Sequence, residues 1–242
     1  MKNMIVFFMA ASVITLAVPH RAVAEIVTSA INNPTANVVE YGGIDMAFQG
    51  YMYEVASSTP QWKCGGLVAN IAYGFTDTLN LGISFDAGNI LARDGLFTSA
   101  VTFRQPLLFM KLQLFTGAFS TAVGYDGRGY RQYDAATQRH EIREKGYYLV
   151  FTKENITESL MLLTGGMNVC DFENFRINSF FSMMVKLNEK LQFAAEIDND
   201  SKVNIGLHYL VAVESFSIDA GAKNVGDSVE YYLRFHVVKT LK

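Results

Sequence analysis

The eight residues LNLGISFD at positions 79–86 alternate apolar and polar side chains without interruption. The apolar positions are Leu79, Leu81, Ile83 and Phe85, and asparagine, glycine, serine and aspartate stand at the other positions. Successive side chains of a β-strand point to opposite faces of its sheet. The stretch therefore predicts a strand that has one apolar face and one polar face.

The same two-residue period recurs along most of the chain and predicts about twelve strands. After the N-terminal region, no uncharged apolar run reaches the ~18 residues that a membrane helix needs. The fifth predicted strand is unusually long, and its alternation slips near residues 115–118, which predicts a β-bulge there. The strands are expected at residues 43–55, 64–76, 78–87, 97–105, 110–125, 144–153, 158–170, 178–188, 190–199, 202–210, 214–223 and 228–239.

The connections between the predicted strands differ in length in a regular way. Those after even-numbered strands are short, whereas those after odd-numbered strands include the long segments 56–63, 88–96 and 126–143. Short turns at one rim and longer loops at the other are typical of membrane-spanning β-barrels. We therefore predict a single up-and-down antiparallel transmembrane β-barrel at 43–242, after an irregular lead-in at 25–42.

The first 24 residues have the features of a cleaved secretory signal peptide. One lysine, Lys2, precedes the uncharged run 4–18, and the small residues Ala22 and Ala24 suit a cleavage site after Ala24. An N-terminal membrane anchor is the alternative, but the run is shorter than the ~20 residues of a spanning helix. Export predicts the outer membrane of a Gram-negative-type bacterium as the location of the barrel.

Alternation alone does not show which strand face is buried inside the barrel. The alternative fold is a soluble exported β-barrel that keeps its apolar face inside and binds an apolar ligand there. The membrane fold is favoured because charged residues are sparse on the polar faces and because aromatic residues lie near predicted strand ends, as at an interface girdle. These aromatic residues are Tyr41, Tyr73, Phe75, Tyr147, Tyr148 and Tyr209.

The charge of the chain is nearly balanced, with a formal net charge of −3 and no stripe of basic residues. Nucleic acid is therefore not expected as a partner. The expected partners are outer-membrane lipid and lipopolysaccharide, together with the barrel assembly machinery during insertion. Many barrels end on an aromatic residue that this machinery recognises, whereas here Phe235 is followed by the seven residues HVVKTLK.

Several segments resemble a family of bacterial outer-membrane β-barrels related to the YjbH-like group. They are Asn33–Gly43 (NPTANVVEYGG), Leu79–Phe85 (LNLGISF), Ala122–Tyr130 (AVGYDGRGY), Lys145–Val150 (KGYYLV) and Ala195–Asn199 (AEIDN). The resemblance implies a barrel linked to the export or assembly of envelope exopolysaccharide, which makes polysaccharide a further expected partner.

Ionisable and amide residues collect on the polar face of the first strand and of the last four strands. In a barrel, this face lines the lumen, where buried charges need partners or water. The set predicts either an ion-pair network that fills the lumen or a constriction that selects small polar solutes. Its members are Asp45, Gln49, Glu196, Asp198, His208, Asp219, Lys223, Glu230, Arg234 and His236.

An enzyme is not expected, although a lipid hydrolase of the envelope is the remaining alternative. Such an enzyme needs a nucleophile, a histidine and an orienting polar residue at the lipid-facing surface. His208 and His236 stand at the alternate positions that face the lumen, and they lack a third ligand for a metal. We therefore predict no catalytic residue, no metal and no cofactor. Cys64 and Cys170 lie on strands that are far apart around a twelve-stranded barrel, and two separate thiols are favoured over a disulfide.

The predicted loop 126–143 combines arginine with tyrosine. Arginine donors beside stacking rings suit a sugar or a lipopolysaccharide phosphate, whereas the plainer interpretation is a solvated outer loop. The candidate binding residues are Arg128, Tyr130, Arg131, Tyr133, Arg139 and Arg143.

Overall fold

The computed structural model describes residues 29–55, 62–92, 95–96, 101–134, 139–171, 176–198, 202–212, 216–226 and 229–240. The signal peptide predicted at 1–24 lies outside these residues. In the described part of the chain, no helix has the length and apolar character needed to cross a membrane.

The described residues form twelve long strands and two strands of two residues each. Every pairing is antiparallel, and β1 pairs with β2 on one side and with β14 on the other, so the sheet closes into a barrel. The predicted antiparallel barrel is thereby confirmed. The strands are β1 (Gly43–Val55), β2 (Trp62–Gly74), β3 (Leu79–Ala92), β4 (Gly95–Leu96), β5 (Thr102–Phe103), β6 (Leu107–Phe115), β7 (Ser120–Asp134), β8 (Arg139–Glu154), β9 (Leu160–Asp171), β10 (Arg176–Lys186), β11 (Leu191–Asp198), β12 (Lys202–Ala212), β13 (Phe216–Val225) and β14 (Glu230–Thr240).

The polar faces of the strands point into the barrel and the apolar faces point outward. On β14, Glu230, Tyr232 and Arg234 are buried, while Leu233 and Phe235 are exposed. The same division holds on β12, where His208 is buried and Leu207 is 45% exposed. A large apolar outer surface is stable only where lipid covers it. The polar interior also rules out the apolar lumen that the soluble alternative requires.

A charge on the outer face should destabilise the barrel in a depth-dependent way. Leu207 lies in the middle of β12 and faces outward. We expect Leu207→Arg to lower the free energy of unfolding by about 2–4 kcal/mol in phospholipid vesicles, measured by urea titration. Val211 faces outward near the end of the same strand, so Val211→Arg is the matched control, with an expected loss of about 0–1 kcal/mol. Equal losses at the two depths would contradict a membrane-spanning β12.

Two errors of strand prediction cancel each other in the number of barrel strands. The predicted strand 97–105 is not a barrel strand, since the described residues there contain only the short β5, which pairs with β3. The predicted strand 110–125 is two strands, β6 and β7, joined by a turn at 116–119. The short connection expected between the predicted strands 97–105 and 110–125 is therefore wrong as well, because β6 begins at Leu107.

The slip in the alternation near residues 115–118 marks this turn rather than a bulge within one strand. The turn is held from β8, where the Lys153 ammonium group donates to the carbonyl oxygen of Ala118 at 2.5 Å. The Phe119 ring packs edge-on against Phe115 and Phe151, with ring centroids 6.0 and 6.1 Å apart. A register shift between Gln113 and Phe115 precedes the turn. Apolar residues in the turn hid it from the sequence pattern.

The long loop predicted at 126–143 is also wrong, because most of it extends the sheet. β7 continues to Asp134, β8 begins at Arg139, and residues 129–134 pair with 139–144. This pairing satisfies backbone groups that a loop would leave to water. The polar composition of the segment had suggested a loop, but a two-stranded extension beyond the lipid can be polar on both faces.

Aromatic side chains on the inner face lie against glycines of neighbouring strands. Gly82 is paired with Phe109, and a Cβ added to Gly82 would come within 2.1 Å of the Phe109 ring. Gly124 and Tyr148 are paired in the same way, with a corresponding distance of 2.4 Å. Covering glycine with a cross-strand ring is a known way of stabilising a curved sheet. Tyr148 is therefore a lumen residue, and its predicted place in an interface girdle is wrong.

Candidate functional site

Residues 29–42, which we call the plug, lie in the lumen up to Val39 and reach the rim at Glu40 and Tyr41, which are exposed. A barrel of eight strands is narrow enough for its own side chains to fill, whereas twelve strands leave more space. In the plug, Ile31, Asn33, Thr35, Ala36 and Val39 are all buried. The plug is irregular, with a single isolated bridge between Ser29 and Pro34. The lead-in predicted at 25–42 thus overlaps this plug, and its position inside the barrel was not predicted from the sequence.

A carboxylate on β11 binds three consecutive amides of the plug. Glu196 Oε1 accepts hydrogen bonds from the backbone N–H groups of Ile31 at 2.5 Å and Asn33 at 3.0 Å, and both carboxylate oxygens lie 2.9 Å from the nitrogen of Asn32. The Asn204 side chain donates to Glu196 Oε2 at 3.2 Å. Consecutive amides that converge in this way form an anion-binding nest. Here the anion belongs to the barrel wall and the nest belongs to the plug.

A guanidinium group on β14 binds the carbonyl groups of the same plug turn. Arg234 donates from Nη1 to the Ile31 carbonyl at 3.0 Å and from Nη2 to the Ala30 carbonyl at 2.9 Å. Its Nε donates to Asp219 Oδ2 at 2.5 Å, and Asp219 Oδ1 is bonded to His208 Nδ1. Asp219 therefore orients the planar guanidinium group, whose Nη1 and Nη2 atoms donate to the plug. Opposite charges on the wall thus bind the amides and the carbonyls of one turn.

The part of the plug around Ala36 and Asn37 is bound by polar side chains that lie nearer the rim where β1 begins. Thr152 Oγ1 accepts from the Ala36 amide at 2.7 Å, and Gln113 donates to the Ala36 carbonyl at 2.9 Å. The Asn37 side chain donates to Glu154 Oε1 at 2.6 Å, while Lys111 Nζ donates to the Asn37 carbonyl at 2.8 Å. The wall thereby supplies partners that a neighbouring strand would otherwise provide.

A cavity of about 160 Å³ remains between the plug and the barrel wall. It has room for on the order of ten water molecules. Uncharged polar side chains such as Gln49, Asn70 and Ser84 line it together with charged groups from β1, β3, β6–β8 and β11–β14. The lining reaches from Asp45 and His236, in the half of the barrel where β1 begins, to Lys202 near the opposite rim.

The ten lumen residues predicted from parity separate into smaller groups. One group joins β12, β13 and β14 through His208, Asp219 and Arg234. His236 Nε2 and Asp45 Oδ1, 2.7 Å apart, bridge the seam between β14 and β1.

The other predicted lumen residues have separate places. Lys223 and Glu230 form an ion pair with an N–O distance of 3.4 Å. Gln49 and Asp198 line the cavity. Glu196 contacts the plug rather than the other members of the set.

Besides Glu154, which contacts Asn37 of the plug, three further charged residues on β6–β8 face the lumen and were missed from the sequence. They are Lys111, Asp126 and Lys145, all of which are buried. Because 110–125 was predicted as one strand with a slip in its alternation, Lys111 could not be assigned to either face. Asp126 was placed in the loop that followed. A pattern break at 116–119, treated as a turn, would have assigned both to the lumen face.

Arg128 lies in the lumen rather than on an outer loop. Its Nε and Nη2 donate to the two oxygens of Asp126 at 2.8 and 2.9 Å. Its guanidinium carbon stands 4.0 Å from the centroid of the Phe109 ring, which adds a cation–π contact. Five other candidates of the predicted outer-loop site have backbones on β7 or β8 but side chains outside the described part of the structure: Tyr130, Arg131, Tyr133, Arg139 and Arg143.

Two histidines of the wall, His208 and His236, have carboxylate partners inside the barrel. Both side chains face the lumen, whereas a bilayer lipid contacts the outer face. No group of three or more His, Cys, Asp or Glu side chains in the described ranges could hold a metal ion. Cys64 is buried on β2, and the side chain of Cys170 on β9 lies outside the described residues.

Comparisons with known proteins add little beyond the architecture. No family model and no curated protein matches the chain. An outer-membrane channel from Pseudomonas putida F1 is 12% identical, with a TM-score of 0.44 over 84% of this chain and 97% of the channel. A mutant of the Rh. blastica porin is 8% identical, with a TM-score of 0.30 over 81% of this chain and 99% of the porin. These values are too low to transfer a site, and the β-barrel assignment stands on the strand pairing above.

Proposed function

We propose that the protein is an outer-membrane β-barrel that acts as a narrow passive channel for small polar solutes. The observation that carries this proposal is the polar cavity of about 160 Å³ between the plug and the barrel wall. Hydrophilic side chains around such a space can replace part of the hydration shell of a solute. The apolar exterior and the predicted signal peptide support the outer membrane as the location, with lipid and lipopolysaccharide around the barrel.

The plug sets an upper limit on solute size. While the plug occupies the lumen, the remaining cavity suits a solute no larger than about ten water molecules together. A polysaccharide chain would need the plug to leave. The resemblance to the YjbH-like group therefore supports a role in polysaccharide export only for an unplugged barrel.

Planar bilayer recording of the purified full-length protein tests the channel function. We expect small, steady single-channel currents in potassium chloride, since ions fit the cavity and the plug obstructs most of the cross-section. Proteoliposomes should swell in a monosaccharide and should not swell in an oligosaccharide. Folded barrels that insert but carry no current would contradict the channel and favour a purely structural barrel. The many hydrogen bonds between the plug and the wall support that second role.

A further inference from the structure

The inner face of β1–β3 borders the cavity along the middle of the three strands. The hydrogen bonds described above hold plug residues 31–37 against side chains of β6, β8, β11 and β14. The lining of the cavity on the first three strands includes Ala47, Gln49, Asn70, Ala72 and Ser84. A solute in the cavity therefore lies between the plug and this face of the barrel.

The middle of this wall carries small or uncharged side chains. Asn70 pairs with Ala47 on one side and with Ser84 on the other, so the three side chains stand in one row across the strands. The next inward positions that line the cavity are Ala72 on β2 and Gln49 on β1. Alanine and serine take up little of the lumen, which leaves the space that the cavity occupies. The amide and hydroxyl groups both donate and accept hydrogen bonds without carrying a charge.

One polar atom of this row has no partner in the described part of the chain. Asn70 Oδ1 is buried and makes no hydrogen bond. Buried polar atoms nearly always have partners, so such an acceptor needs one from water or from a bound solute. Gln192 Oε1 on β11 is also buried without a partner, but Gln192 does not line the cavity. Asn70 is therefore the position at which a solute in the cavity can supply a missing hydrogen bond.

Charged groups also border the cavity, but each of the described ones has a group of opposite charge or a hydrogen-bonded partner close by. The bonded pairs are Asp45 with His236, Asp86 with Arg104, Asp126 with Arg128, Asp219 with Arg234, and Glu230 with Lys223. Lys111 and Lys145 both interact with Asp126. Lys202 stands opposite Asp198 where β12 pairs with β11. Opposite charges so close together largely cancel at a distance, so the cavity has no strong preference for an ion of either sign.

We propose that the cavity takes up a small uncharged solute rich in hydroxyl groups, such as a polyol or a pentose, which binds against Gln49, Asn70 and Ser84. Hydroxyl groups donate and accept as the side chains of this wall do, whereas an ion loses its hydration there and gains no net opposite charge. Space for about ten water molecules holds a solute of about ten non-hydrogen atoms, which is the size of a pentose. This inference rests on the proposed channel function and names the class of its solute.

The test is the block of the ionic current by D-xylose, a pentose, in planar bilayers that contain the full-length protein. A solute that occupies the cavity obstructs the ions, so we expect xylose to lower the potassium chloride current reversibly. Asn70→Leu keeps the size of the side chain and removes the amide, and it should raise the xylose concentration that halves the current at least about threefold. Gln192→Leu removes an amide from the lumen away from the cavity and should leave that concentration unchanged. Raffinose, a trisaccharide too large for the cavity, corrects for the lower conductivity of sugar solutions.

The room in the cavity is tested separately at Ala72. Ala72→Leu fills part of the space beside Asn70, so it should roughly halve the current and weaken the block by xylose. Ala69 lies on the outer face of the same strand, between the exposed Leu67 and Ile71. Ala69→Leu therefore adds the same bulk on the lipid side and should change neither quantity.

Heat-modifiable migration in gels reports the folded fraction of every variant, and Asn70 and Ala72 test the inference independently if one variant fails to fold. A current that xylose lowers no more than raffinose does overturns the inference and leaves the channel intact. A block that survives unchanged in folded Asn70→Leu and Ala72→Leu barrels does the same. The absence of any current from the folded, unaltered protein overturns the channel and the inference together.

Discussion

Glu196→Gln is expected to raise the conductance of the barrel by loosening the plug. The Glu196 carboxylate accepts from three consecutive plug amides, while a glutamine offers one oxygen and an NH₂ group that cannot accept from them. Hydrogen bonds to a charged group are worth about 1.5–3 kcal/mol each. A net loss of about 2 kcal/mol would shift the balance between docked and released plug roughly thirtyfold. Single-channel recording should show larger and more frequent openings.

Ser217→Ala is the matched control for this experiment. Ser217 faces the lumen on β13, is buried, and its hydroxyl has no hydrogen-bond partner among the described residues. Removing that hydroxyl should leave both the conductance and the thermal stability close to those of the unaltered protein. If the Glu196→Gln barrel is folded and its conductance also stays unchanged, the carboxylate does not hold the plug.

Arg234→Ala should produce the largest loss of stability. Asp219 is buried, at 2% exposure, and Arg234 is the cation bonded to it. Removing one partner of a buried pair costs about 3–5 kcal/mol, because the Asp219 charge then keeps only its bond to His208. The carbonyls of Ala30 and Ile31 lose their donors at the same time. Urea titration of the folded barrel should show the loss as a lower midpoint.

Two comparisons isolate the buried charge as the cause. Arg104 pairs with Asp86 but its side chain is 39% exposed, so Arg104→Ala should cost only about 0–1 kcal/mol. Combining Arg234→Ala with Asp219→Ala removes both charges and should recover part of the loss, which a double-mutant cycle measures. A double variant as unstable as the sum of its two single variants would mean that the pair is not coupled.

The wall of the barrel could be predicted from the sequence because its signal is local. Alternation in 79–86 depends only on neighbouring residues, and it correctly assigned Leu81 to the lipid side and Ser84 to the lumen side. The errors arose where that signal was ambiguous. The turn at 116–119 contains apolar residues that continue the look of a strand, and the extension of β7 and β8 is polar like a loop.

The plug and its binding site could not be predicted by the same reasoning. Residues 29–42 have no period, and their partners are single side chains on strands distant in sequence. Nothing near Ile31 indicates that its amide meets Glu196, 165 residues later. The parity rule did place Glu196 and Arg234 on the lumen face, but it gave no reason to separate them from the wall pairs.

The wide separation in sequence between the plug and its partners has a consequence for assembly. Asn33 contacts Ser182, 149 residues away, and Arg234 binds the Ala30 carbonyl across 204 residues. Contacts of such high order form late, since the intervening chain must first be ordered. The segment that is synthesised before every strand is therefore among the last to dock. A nascent barrel that still lacks β14 is not closed, and its plug is bound by Glu196 but not by Arg234. Leakage across the membrane is therefore limited only once the final strand is in place.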